Sequence, residues 1–139
     1  MSAERRTLRA CCTAHVVHDG VVDMTYALLP GLAESLGLSF AQVGMLRAAN
    51  RSSTALLQIP AGLLAERTGA RNLLVIGTCI AGAALFVLGL WAFEFWQILL
   101  GFVLLGAGGA VQHPLSSALI TGAFRGPSRR RALGTYNAF

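Results

Sequence analysis

Leu73-Leu-Val-Ile-Gly-Thr-Cys-Ile-Ala-Gly-Ala-Ala-Leu-Phe-Val-Leu-Gly-Leu-Trp-Ala-Phe93 holds no Asp, Glu, Lys, Arg or His. A helix needs about 20 consecutive, mostly apolar residues to cross the hydrocarbon core of a bilayer. This stretch has that length without a break. It has no polar face to offer water, so lipid is its natural solvent.

Working outward, three more segments have spanning length. With the one at 72–93, they give predicted spans at 8–34, 40–65 and 95–123, and a fifth span starts near residue 131. Charged residues make up 12% of the chain, against about 25% in a soluble domain. That share is too small to cover a water-facing surface. The fold class expected is all-α transmembrane, a single membrane domain over residues 1–139. The connectors at 35–39, 66–71 and around Glu94 are short, which makes sequential spans antiparallel neighbours and leaves no room for a soluble domain.

The net charge of +5 comes with eleven basic residues, all Arg. They stand at the ends of apolar runs, with no aromatic-plus-basic stripe, so nucleic acid is not an expected partner. Arg5, Arg6 and Arg9 precede the first span, Arg67 and Arg71 lie between the second and third, and Arg125, Arg129, Arg130 and Arg131 follow the fourth. The other two connectors have no basic residue. The positive-inside rule then puts the N-terminus and the Arg-rich connectors on the cytoplasmic side of the cell (inner) membrane. Trp91 and Trp96 flank the opposite connector, where an interfacial aromatic belt belongs. Cys11, Cys12 and Cys79 are odd in number and lie within apolar segments, against a disulfide framework. No apolar stretch precedes Cys11, so neither a lipoprotein nor a twin-arginine signal is read at the N-terminus.

Ionisable residues inside spans are costly and mark function by default. The first span holds His15, His18, Asp19 and Asp23 on one helical face, and the second holds Arg47, Asn50 and Arg51. Gln112 and His113 stand in the fourth, before Pro114. At the helical rise, Asp23 and Arg51 each lie about 21 Å from the cytoplasmic ends, level and in reach of pairing. His15, His18 and His113 lie roughly 9–14 Å in, and Asp19, His18 and His113 can form a second polar layer. A histidine or Asp19 is the expected proton exchanger; Arg47 or Arg51 suits an anionic or polar substrate. His15, His18, Asp19 and His113 are also ligand types for a divalent metal, but His-x-x-His with a separate third His is unspecific and nearby arginines would repel a cation. No metal and no cofactor is therefore expected. Pro114 leaves the Ala110 carbonyl without its helical donor, a break tolerated where it faces a cavity or protein. Gly77, Ala81 and Ala84, with Gly101, Gly106, Gly108 and Gly109, allow close helix approach.

The connector Gly62-Leu-Leu-Ala-Glu66-Arg67-Thr-Gly69-Ala-Arg71 combines a close-contact glycine, an acid between basic residues and a glycine for tight reversal. It resembles the G-x-x-x-D-R-x-G-R-R signature of the major facilitator superfamily, with Glu66 for the usual Asp and Ala70 for the first closing Arg. His15-Val-Val-His18-Asp19 and His113-Pro114-Leu115-Ser116-Ser117 are similar to the H-x-x-N-D and H-P-E-S-S motifs of the fosmidomycin-resistance branch of efflux transporters, with His18 for Asn and Leu115 for the acid. The resemblance implies a proton-driven antiporter of about twelve helices built from three-helix repeats, its site between two six-helix halves. Gly62, Glu66, Arg67, Gly69 and Arg71 would then form a cytoplasmic gating loop.

The function expected is secondary active transport, proton-coupled efflux of a small polar or drug-like solute, by the N-terminal part of such a transporter. Its partners would be the solute, protons, the lipid bilayer, and the remaining helices or a second chain. The alternatives are a dimeric four-helix transporter, as in the small multidrug resistance family, and a non-transporting membrane scaffold or remnant. No nucleophile–base pairing or phosphate loop is legible, so no enzyme is expected.

Overall fold

The computed structural model describes residues 1–139 as six helices without strands. They are α1 (Ala3–Ser35), α2 (Phe40–Thr68), α3 (Ala70–Trp91), α4 (Phe95–Gly109), α5 (Gln112–Ala123) and α6 (Gly126–Asn137).

Each boundary has a local cause. Ser2 caps α1 by accepting from the Arg5 N–H. Ser39 and Gln42 form a reciprocal capping box at the start of α2: the Gln42 N–H donates to Ser39 Oγ at 3.3 Å, and the Ser39 N–H to Gln42 Oε1 at 2.9 Å. Gly69, with φ of 85°, reverses the chain by itself, its N–H donating to the Ala65 carbonyl at 2.9 Å. The connector expected over 66–71 thus shrinks to one residue, because a left-handed glycine needs no partners to turn the chain.

The stretch expected as one span at 95–123 divides at Ala110 and Val111. Pro114 has no N–H for the Ala110 carbonyl, and the ladder resumes with the Leu115 N–H on the Val111 carbonyl at 3.1 Å. The last helix begins at Gly126 rather than near 131. Pro127 in its first turn is compatible with that earlier start.

α4 is the hub, packed against both α2 and α3. Glycines make that packing close. A Cβ placed on Gly108 would stand 2.6 Å from the Ala81 nitrogen and the Gly77 oxygen, and one on Gly106 would stand 2.4 Å from the Asn50 oxygen. Polar side chains of α2 rivet the second contact. Asn50 donates to the Phe102 carbonyl at 3.1 Å and Ser53 to that of Val103 at 2.8 Å, while Thr54 shares its hydroxyl between the Gly106 carbonyl at 3.1 Å and that of Asn50 in its own helix at 3.0 Å. Apolar clusters brace the ends: Leu29, Leu46, Ile98 and Phe102 at one, Cys11, Cys12, Ile120 and Tyr136 at the other.

Two units are long and apolar enough to cross a membrane, Ala70–Trp91 and Phe95–Ala123, the second being α4 and α5 together. Only 28% of the apolar window of α3 is buried inside the protein. Val75, Ile76, Phe86, Val87 and Leu90 point outward, the reverse of a soluble core helix. α1 and α2 have the length, at 33 and 29 residues, but their polar side chains keep them below that standard of apolarity.

Candidate functional site

The polar residues of α1 do not form one uniform stripe. His15 and His18 are buried, Asp19 is half-buried and Asp23 is exposed. His15 Nε2 lies 3.3 Å from Asp19 Oδ2, the only contact of a carboxylate with a basic side chain in the chain. The i, i+4 spacing places the two side chains over one another. On its other side, His15 Nδ1 is 3.1 Å from the hydroxyl of Tyr136, which α6 delivers from the far end of the sequence. The Tyr136 hydroxyl can donate or accept, so it serves either tautomer of His15.

The break between α4 and α5 brings His113 to this pair. Its ring stands edge-on to His15, with centroids 5.0 Å apart, and 6.4 Å from that of His18. Ligand atoms of His15, Asp19 and His113 all lie within 4.8 Å of one another. His18 flanks the three and packs on Gly109, where a Cβ would come within 2.9 Å of its ring. Gln112 and Ser116, on the adjoining face of α5, are fully buried, with both Gln112 amide atoms and Ser116 Oγ unpartnered.

The arginines take a separate place. Arg47 and Arg51 lie over the ring of Tyr26, 4.7 and 5.7 Å from its centroid. Arg51 makes no ion pair with Asp23. Instead, the aromatic face takes the guanidinium by cation–π attraction. Asn50, expected on the arginine face, turns instead into α4. Tyr26 is thus a floor for two cations, and Tyr136 an anchor for His15. Sequence reading missed both, although a tyrosine among charged residues within a span is a signal for such a role.

In the connector, Glu66, Arg67 and Arg71 are exposed and make no ion pair among themselves. Gly69 has the expected turn conformation. Gly62 does not mediate the expected close contact, since a Cβ there meets nothing within 4 Å.

Residues 11–139 match the model of the Major Facilitator Superfamily. The chain belongs to this superfamily, a family of membrane-embedded transporters. It is also 32% identical over 110 residues to the fosmidomycin resistance protein of Escherichia coli (strain K12), a match covering 79% of this chain and 27% of that protein. The chain therefore matches about a quarter of the length of this curated relative. No solved structure gives a significant match.

Proposed function

We propose that the chain acts as the N-terminal part of a twelve-helix secondary transporter that expels a small polar or drug-like solute in exchange for protons. In this reading α1, α2, α3 and the α4–α5 unit each cross the inner membrane, with the N-terminus and the Arg67–Arg71 connector cytoplasmic. The observation that carries it is the pair of His15 and Asp19 at 3.3 Å, open on one side and joined by His113 at a helix break. Ionisable groups inside a span are costly and mark function by default, so packing alone gives poor reason for such a group there. The relative's involvement in fosmidomycin resistance supports efflux as the direction.

The division of labour follows from the two polar layers. His15, His18, Asp19 and His113 exchange protons, with Asp19 and His113 as the groups open to a path. Arg47 and Arg51, held over Tyr26, bind an anionic or polar part of the solute, and Asp23 stands beside that layer. Gly62, Glu66, Arg67, Gly69 and Arg71 form the cytoplasmic gating loop, Gly69 as its pivot. The opposite wall comes from further helices, and lipid covers the outward apolar faces.

The test is solute-dependent proton movement in everted vesicles bearing the protein expressed from its full reading frame. Asp19→Asn is expected to abolish proton-coupled efflux while solute exchange across the membrane persists. Coupled efflux at the wild-type level in that variant would refute the assignment.

A further inference from the structure

The cluster of α1 and α5 has both the donor set and the spacing of a metal centre. We propose that His15, Asp19 and His113 bind a divalent transition ion of the zinc class. The same atoms serve proton exchange in the transport reading, so ion and proton would compete for them, but the site itself depends only on three side chains of this chain.

Four observations carry it. First, the 3.3 Å between His15 Nε2 and Asp19 Oδ2 is close to one edge of a zinc tetrahedron, about 3.4 Å for bonds of about 2.0–2.2 Å. Second, the whole donor set lies within 4.8 Å, and His113 is exposed, free to turn inward by the remaining ångström or so. Third, a metal-bound histidine characteristically gives its other nitrogen to a fixed partner, and His15 Nδ1 already faces the Tyr136 hydroxyl at 3.1 Å. That tyrosine is 1% exposed, so the imidazole is aimed before any ion arrives. Without metal, His15 Nε2–H can donate to Asp19 while the Tyr136 hydroxyl donates to Nδ1. With metal on Nε2, the proton resides on Nδ1 and the Tyr136 oxygen accepts it. Fourth, the two α2 arginines expected to repel a cation lie elsewhere. Both guanidinium groups sit over Tyr26, seven residues beyond Asp19, about 10 Å along the helix axis.

Two imidazoles and one carboxylate suit zinc, iron(II), cobalt(II) or nickel(II), and not the all-oxygen preference of calcium or magnesium. Three protein ligands with Asp19 and His113 reachable from outside leave coordination positions for water or for a chelating group on a solute.

The protein, purified without a polyhistidine tag and placed in nanodiscs, is titrated with Co²⁺ and followed by its visible d–d absorption. The expected result is one equivalent with the intense bands of a four- or five-coordinate ion, erased by Zn²⁺. His15→Gln, Asp19→Asn and His113→Gln each lose that equivalent, while Glu94→Gln keeps it. Tyr136→Phe weakens binding roughly 10–100-fold, with helix content by circular dichroism unchanged. Because the histidine variants can misfold, zinc-edge X-ray absorption of the wild-type protein gives an independent reading and is expected to show two imidazoles per ion. Absence of the cobalt bands at millimolar metal, or an equivalent that survives His113→Gln in folded protein, overturns the proposal. Loss of coupled efflux in Asp19→Asn together with absent metal binding would refute the metal site and leave the transport reading intact.

Discussion

Gly106→Ala probes the feature on which the bundle depends, the contact of α4 with α2. The added methyl would stand 2.4 Å from the Asn50 carbonyl oxygen and 3.0 Å from Ser53 Cβ. The first of these is backbone, so no rotamer change relieves it. Restoring ordinary carbon–oxygen contact moves the helices apart by somewhat under an ångström. Overpacking of this kind costs about 1–3 kcal/mol. The shift also stretches the bonds from Asn50, Ser53 and Thr54 to α4 carbonyls, each of a kind worth about 0.6 kcal/mol in a membrane. The better helix propensity of Ala returns at most about 1 kcal/mol. The net expectation is a loss of about 2 kcal/mol, read from reversible unfolding in mixed micelles. Gly82→Ala is the matched control, since a Cβ there meets nothing within 4 Å, and it is expected to be neutral or slightly stabilising. Equal effects of the two substitutions would refute the close-contact reasoning, because helix propensity alone predicts equality.

Two further substitutions test local arrangements. Tyr26→Leu is expected to remove the platform beneath Arg47 and Arg51, with a coupling energy to Arg47→Gln of about 0.5–1 kcal/mol in a double-mutant stability cycle; Tyr26→Phe keeps the ring and most of that coupling. Gly69→Ala forces a side chain onto a φ of 85° and is expected to destabilise by about 1–2 kcal/mol in the same unfolding assay, whereas Gly62→Ala, in open space, changes it little.

Much of the architecture was legible because its signals are one-dimensional. The uncharged run at 73–93, the Arg clusters and the Gly62–Arg71 signature each lie in one continuous stretch of chain, and the helical class and the superfamily follow from them. The polar residues of the site were also visible as ionisable groups within spans. What periodicity does not supply is rotation of one helix against its neighbour. Depth along the axis puts Asp23 and Arg51 level, yet the guanidinium faces Tyr26 and the carboxylate faces outward. Asn50 shares a helical face with Arg47 and Arg51 by spacing, and its amide points instead to the Phe102 carbonyl. Tyr136 was missed for another reason. Its partner His15 lies 121 positions away, and no local pattern links residues so far apart.

The rivets between α2 and α4 divide mutational freedom unevenly. Asn50, Ser53 and Thr54 supply the specific side chains, while α4 supplies only main-chain oxygens at Phe102, Val103 and Gly106. An acceptor of that kind survives any change of side chain that leaves the helix in place. Along this seam α4 can drift through the apolar alphabet at Val103, limited mainly by the room its glycines keep open, whereas α2 must retain its donors or lose the joint. Random mutagenesis scored for folded protein should therefore return a permissive Val103 opposite an intolerant Ser53.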